Sequence, residues 1–350
     1  MGNVFEDLKK PYFIADIGAN HDGDINRAFK LIELAKDSGA HAAKFQNFQA
    51  MKIVSRLGFQ SLGSRISHQA SWKKDVYDVY DHASLSYSWT EKLKAKCLEV
   101  GIEYFTSPYD FDSVDQVDAF VNLYKIGSGD ITWLEIIEYI AKKGKPVLLA
   151  TGASDGLDVD RAMKVLSSYT SKIVLMQCNT NYTGTADNFS YVNLNVLKYY
   201  KKTYSSVLLG LSDHTPGHSA VLGALALGAT VIEKHFTDDN LRDGPDHKFA
   251  LNPVTWSEMV DRSNELYDAL GDGIKRVEEN EKMSKIVQRR AIRCNREMVP
   301  GDVITKEDVD FLRPIPIDGI EPYRIEEILG KKVKEKMSKG EHFVFKNLGS

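Results

Sequence analysis

Cysteine is scarce in this chain: three residues, Cys97, Cys178 and Cys294, among 350. They are odd in number and widely spaced, so they form neither a disulfide framework nor a zinc motif. A reducing cytoplasm is the simplest setting. Long apolar runs are also missing. No uninterrupted hydrophobic segment approaches the roughly 20 residues that span a bilayer. The N-terminus, Met1-Gly-Asn-Val-Phe-Glu-Asp-Leu-Lys-Lys10, lacks the apolar core of a signal peptide. Glu6 stands where a myristoylation motif requires Ser or Thr. There is no large excess of one charge either, because 45 Lys and Arg face 49 Asp and Glu, a formal net charge of -4. That balance argues against nucleic acid or a membrane surface as a partner, while leaving room for a local basic pocket.

What is present is ordinary for a folded soluble protein, with 43% hydrophobic and 27% charged residues. The length suggests one large domain and a small one. From residue 12 to about 270, short apolar runs alternate with longer amphipathic segments. The expected strands are Tyr12–Ile17, His41–Phe45, Glu103–Thr106, Leu123–Ile126, Val147–Ala150, Ile173–Gln177, Val207–Leu211 and Thr230–Lys234. Ala28, Leu31, Ile32 and Ala35 recur at helical spacing between the first two, and Ser38-Gly-Ala40 supplies a stop. Further helices are expected near Trp89–Val100, Leu134–Lys143, Asp158–Tyr169, Ser219–Gly228 and Thr255–Leu270. Eight such units over roughly 250 residues fit a (β/α)₈ TIM barrel, with a doubly wound open sheet as the competitor. Residues 47–88 are too long for an ordinary connection; they read either as a substrate lid or as an insertion with its own small helix.

The helical pattern stops at Leu270-Gly-Asp-Gly273, and the charged run Lys275-Arg-Val-Glu-Glu-Asn-Glu-Lys282 follows. The chain therefore divides into a barrel (1–272), a linker (273–288) and a compact β-rich module (289–350).

The C-terminal ends of barrel strands converge on one site. In this chain those ends carry Asp16 to Gly23, Lys44-Phe-Gln46, Thr106-Ser-Pro108, Lys125 to Asp130, Thr151-Gly152, Gln177 to Tyr182, Ser212-Asp-His214 and Glu233-Lys-His235. His214 and His235 end neighbouring strands, close enough to hold one divalent metal that would polarise a carbonyl. A carboxylate-rich segment with Asp238, Asp239, Asp243 and Asp246 follows them. Lys44 and Lys125, with hydroxyls from Ser107, Ser128 and Ser212, suit a phosphate or carboxylate. Together these groups suggest a phosphorylated anion meeting an aldehyde. His21 is either a turn residue or a sugar contact. Cys178 has no evident His–Asp pair and reads as a packed thiol rather than a nucleophile.

Taken in order, these segments resemble the sialic acid synthase family, which makes nine-carbon nonulosonic acids. The similarity extends to Gly210-Leu-Ser-Asp-His-Thr215, Glu233-Lys-His-Phe-Thr237 and Gly244-Pro-Asp-His247. The C-terminal module, with Arg289-Arg-Ala-Ile292 and Leu312-Arg-Pro314, resembles that family's antifreeze-like (SAF) domain. The resemblance implies a TIM barrel, a divalent metal (Mn²⁺ or Mg²⁺) and phosphoenolpyruvate as co-substrate with an acylamino sugar. It also implies a domain-swapped homodimer. By the same resemblance His214 and His235 are metal ligands, and Lys44, Ser107, Lys125, Ser128 and Ser212 contact phosphoenolpyruvate. Asp16, Gln46, Asp130, Tyr182, Glu233 and Asp246 face the sugar or the metal, with Asp16, Lys44, Lys125, Asp130 and Glu233 as the catalytic set. Arg313 matches an arginine that reaches across the dimer to the sugar.

The chain departs from that pattern at Asp16 and Asp130, where Glu is common, at Gln177 in place of His, and at Thr183 in place of Pro. The sugar is accordingly either N-acetylmannosamine or a 2,4-diacetamido-trideoxyhexose. A Schiff-base aldolase using Lys44 or Lys125 is one alternative; a non-catalytic carbohydrate-binding protein is another.

Overall fold

The computed structural model describes residues 5, 8, 10–62, 69, 72 and 74–349. It divides into two compact units, Met1–Gly271 and Asp272–Ser350. Most of the N-terminal decapeptide, including Glu6, lies outside the described residues, as does His68.

The first unit is a closed parallel barrel of eight strands in sequence order. They are β1 (Tyr12–Asp16), β2 (Ala42–Asn47), β3 (Glu103–Pro108), β4 (Tyr124–Ile126), β5 (Val147–Ala150), β6 (Ile173–Cys178), β7 (Leu208–Asp213) and β8 (Ala229–His235). Closure comes from β8 pairing with β1, which excludes the open sheet. All five residues of β1 are buried, as a strand covered on both faces requires. The helix Ile25–Asp37 buries Ala28, Leu31, Ile32 and Ala35, and the Asp24 side chain accepts from the backbone N–H of Asn26 at its start. Asn252 and Thr255 form a capping box at the head of Pro253–Leu270.

Two barrel helices were not expected, Phe111–Asp118 and Val196–Thr203. Each is short and buries only two apolar side chains, Val114 with Val117 and Leu197 with Tyr200. So little apolar periodicity is hard to tell from a loop. The long connection after β2 contains helices Ala50–Ile53, Arg56–Ser61 and Val76–Ala83.

In the second unit, the stretch expected to be a plain linker holds a helix, Lys282–Gln288. It is followed by two antiparallel ribbons. One pairs β9 (Ala291–Cys294) with β10 (Val309–Leu312), the other β11 (Lys332–Val333) with β12 (Leu348–Gly349). This unit has its own core, which includes Ile292, Ile304, Ile320, Ile328 and Phe343. Among the described residues no helix is long and apolar enough to cross a membrane.

Candidate active site

Strand register brings the site together. Asp16 at the end of β1 stands level with Lys44 on β2 and with His235 on β8. Ser212 on β7 is level with Glu233 on β8, and Cys178 on β6 with Ser212. The side chains of Asp16, Lys44, Lys125 and Glu233 are all at least 95% buried. Lys44 Nζ lies 2.8 Å from Asp16 Oδ2 and 3.9 Å from Glu233 Oε1. Lys125 Nζ donates to Glu233 Oε1 at 2.7 Å, and Ser212 Oγ donates to the same oxygen at 3.3 Å. Gln46 Nε2 donates to Asp16 Oδ2 at 3.0 Å.

Burial opposes ionisation of Asp16, but Lys44, His235 and Lys125 more than offset it and hold its carboxyl below the usual range. Burial likewise disfavours the Lys44 ammonium, and Asp16 and Glu233 reverse that, so its pKa is raised. The floor of the site is thus a lattice of alternating charges. Each ammonium keeps donors beyond those its carboxylate uses. Ser107 Oγ, Asp16 Oδ1 and Glu233 Oε2 are buried and make no hydrogen bond within the protein, so each can bond a molecule in the site. Ser128 Oγ accepts from the Gly152 amide at 2.9 Å. A Cβ on Gly152 would fall 3.0 Å from Ser128 Oγ and 2.4 Å from Thr180 Cγ2, so glycine keeps this corner open.

The two histidine rings lie on the same side of that floor, centroids 5.4 Å apart. Among the described residues no three His, Cys, Asp or Glu side chains form a ready-made metal cage. The donor chemistry of the pair still suits a cation. His214 donates Nδ1–H to the Asn179 carbonyl at 2.8 Å, leaving the Nε2 lone pair available. Burial and the neighbouring His235 push its pKa down to about 3, so the ring is neutral at ordinary pH. His235 Nε2 lies 3.4 Å from Asp16 Oδ2 and Nδ1 3.5 Å from Asp246 Oδ2, and the buried Nδ1 makes no hydrogen bond. The two imidazoles would be the side chains to hold such a cation.

Above the floor is a cleft of about 390 Å³. One wall is polar, with Gln46, Ser128, Asp130, Tyr182, His235 and Asp246. The other is apolar and aromatic: Phe48, Ile53, Trp72, Val79, Tyr80 and Ala83 come from the long connection, joined by Tyr109. That connection is therefore an insertion with its own helices and a wall of the cleft at once. Burial alone raises the Asp130 carboxyl to about 6. The Tyr182 ring packs edge-on against His214, centroids 4.3 Å apart.

The remaining candidates have separate places. Of the carboxylates after β8, Asp246 reaches the cleft, whereas Asp238 pairs with Arg27 and the Asp239 side chain accepts from the Leu241 amide in its own loop. His21 is a turn residue: Nδ1 accepts from the Gly23 amide at 3.0 Å and the ring packs edge-on against Trp89. Cys178 is buried, which pushes its thiol pKa up, so it is a packed thiol. Arg313 is exposed in the second unit, just after β10, and does not belong to the barrel's own set of side chains. Tyr80, Tyr109 and the buried His247 drew no role from the sequence. The only signal for His247 was its place in Gly244-Pro-Asp-His247.

A closed barrel of eight parallel strands with buried ionisable side chains gathered at its strand ends is the architecture of a TIM-barrel enzyme, here with a SAF domain at its C-terminus. The NeuB family model matches residues 31–275, and the SAF domain model matches 289–348. The chain belongs to the NeuB family. It is 34% identical over 334 residues to the N,N'-diacetyllegionaminic acid synthase of Campylobacter jejuni, covering 93% of this chain and 96% of that protein. With the pseudaminic acid synthase of the same species it shares 30% identity, over 97% of each chain. The solved N-acetylneuraminic acid (sialic acid) synthetase of Leptospira borgpetersenii superposes with a TM-score of 0.68 at 25% identity, covering 79% of this chain and 90% of that one. The chain is accordingly an enzyme of the NeuB family.

Proposed function

We propose that this chain condenses phosphoenolpyruvate with an open-chain 2-acetamido hexose and water, giving a nine-carbon nonulosonic acid and phosphate. The observation that carries the reading is the buried lattice of Asp16, Lys44, Lys125 and Glu233 beneath a cleft with one polar and one apolar wall. Relatives named legionaminic, pseudaminic and sialic acid synthases support the reaction class. Lys44 and Lys125, with Ser107, Ser128 and Ser212, hold the phosphate and carboxylate of phosphoenolpyruvate. His214 and His235 would hold a Mn²⁺ or Mg²⁺ ion, which as a Lewis acid makes the sugar aldehyde more electrophilic. In the reaction the C2–C3 π pair of phosphoenolpyruvate forms a bond from C3 to C1 of the sugar, the aldehyde π pair passes to its oxygen, which takes a proton to become a hydroxyl, and positive charge is left at C2. Water adds at C2, loses a proton, and the resulting tetrahedral centre expels phosphate by C–O cleavage. Asp130, poised near pH 6, is suited to carry one of these protons. Gln46, Tyr182 and Asp246 position the sugar.

In this reading the protein works in the cytoplasm as a homodimer, with Arg313 contributing to the sugar site of its partner. Arg313→Ala then costs about 1.5–3 kcal/mol in the sugar half of the reaction, the worth of a charged hydrogen bond. An unchanged KM for the sugar together with an unchanged kcat would remove that role.

A Schiff-base aldolase is disfavoured. It needs an unprotonated lysine, yet Lys44 is held as an ammonium by Asp16 and Glu233, and Lys125 sits 2.7 Å from Glu233. The test of the main reading is a phosphate-release assay with phosphoenolpyruvate and a panel of acylamino hexoses, with products identified by mass. Release that depends on one of these sugars supports it. No release with any of them, or borohydride trapping of substrate on a lysine, rejects it.

A further inference from the structure

Asp246 lies in the irregular segment between β8 and the helix Pro253–Leu270, not on a strand. Its Oδ2 accepts from the Ala19 amide at 3.3 Å and lies 3.5 Å from His235 Nδ1. Gly18, in the left-handed region at φ +48, packs so closely that a Cβ would come within 2.9 Å of Asp246 Oδ2. A carboxylate placed this tightly on an irregular segment needs an anchor outside the cleft.

The adjacent residue supplies it. His247 is fully buried. Its Nδ1 lies 2.7 Å from Thr237 Oγ1 and its Nε2 lies 2.9 Å from Asp22 Oδ1, on the loop after β1. Asp22 and His247 are 225 positions apart in sequence. The other oxygen of Asp22 meets Arg242 Nη2 at 2.7 Å and Arg27 Nε at 3.1 Å. Asn240 donates to the His247 carbonyl at 2.9 Å and to the Ala250 carbonyl at 2.7 Å, closing the segment on itself. Gly244 packs on the imidazole, where a Cβ would fall 2.5 Å from His247 Cδ2. Asp22 itself has φ +51, a conformation a non-glycine residue keeps only where its surroundings require it. Neither Asp22 nor His247 lines the cleft.

We propose that Asp22 and His247 are positioning residues: their bridge ties the β1 and β8 loops together and thereby sets Asp246 against His235 and the sugar. The proposal rests on reading this cleft as the sugar site. Of the phosphoenolpyruvate groups, Lys44, Ser107, Lys125 and Ser212 sit on β2, β3, β4 and β7 and Ser128 just after β4, whereas the bridge joins the loops after β1 and β8. Loss of the bridge therefore acts first on the sugar, and reaches the phosphoenolpyruvate side only through His235 and Asp16.

The test uses the full-length protein with His247→Ala, His247→Gln, Asp22→Ala and the double alanine variant. In phosphate-release kinetics, KM for the acylamino hexose rises about tenfold or more in each alanine variant, while KM for phosphoenolpyruvate stays within about twofold. The double variant is little worse than either single one, because the two residues act as a unit. His247→Gln, which keeps a donor toward Asp22, recovers part of the loss. Hydrogen exchange at the Ala19 amide and across 240–250 speeds up in both alanine variants. A loss of melting temperature with both KM values unchanged would make the bridge merely structural and overturn the proposal. So would additive effects, or unchanged exchange at Ala19 and 240–250. If the unaltered protein releases no phosphate with any acylamino hexose, the functional reading fails instead, and hydrogen exchange alone decides the bridge.

Discussion

The floor and the walls of the cleft are built on different principles. Asp16, Lys44 and Glu233 lie on strands, Lys125 on the short β4, and every one of them is ion-paired and buried. Apart from Gln46 and His235, which end strands, the walls are borne by loops and by the insertion after β2, and there Asp130 owes its raised pKa to burial alone. Charges taken this far from water persist only when their partners are in place, so the floor tolerates little change. Side chains on loops can be exchanged without disturbing the barrel. A floor for the shared anion and walls for the particular sugar would let relatives with different acid products keep one reaction.

The largest expected effect comes from breaking the floor. Lys125→Met leaves Glu233 buried without its closest cation, and removing one partner of such a pair costs about 3–5 kcal/mol. Thermal melts should fall accordingly, and kcat/KM for phosphoenolpyruvate should drop by about 10³ or more. If this variant keeps near-normal kinetics, the floor is not the anion site.

His214→Ala and His235→Ala should abolish divalent-cation-dependent phosphate release while leaving the melting temperature close to that of the unaltered protein. Near-normal activity in either one breaks the assignment of the pair.

Asp130→Asn sharpens the contrast between floor and wall through pH. Asp130 is protonated below about 6 and ionised above it, so activity should show a limb near pH 6 that the variant lacks, with kcat lowered by about 10²-fold or more. Its folded pKa is raised above the ordinary 3.8, so the folded state holds this proton more tightly than the unfolded chain does. Its contribution to stability is therefore full below about pH 4, is lost as pH rises to about 6, and disappears in the variant. A pH profile that keeps the same limb assigns it to another group.

Tyr80→Ala is expected to be mildest. Opening the apolar wall should raise KM for the sugar about tenfold and leave phosphoenolpyruvate untouched. An equal effect on both substrates would mean that the wall and the floor are not separable.

Much of this architecture was legible in the sequence. All eight strands were expected within about two residues of where they stand, because a parallel strand covered on both faces is a short apolar run ended by polar residues. The strand-end rule also picked out Asp16, Lys44, Lys125 and Glu233, which do meet. It could not pair them. That Lys125 turns to Glu233 and Lys44 to Asp16 depends on barrel closure and register, which no local pattern encodes. The aromatic wall was legible only as the choice between a lid and an insertion, since Phe48, Trp72 and Tyr80 gain a role when the folded insertion lines the same cleft as Asp130 and Asp246. The bridge between His247 and Asp22 joins two irregular loops and has no periodicity to reveal it.

The central claim is tested most directly by phosphoenolpyruvate carrying ¹⁸O in the oxygen that bridges carbon and phosphorus. The account predicts that phosphate appears only when an acylamino hexose is present, carries the label, and matches the nine-carbon product in amount. Release without the sugar, or label retained in the organic product, would contradict it.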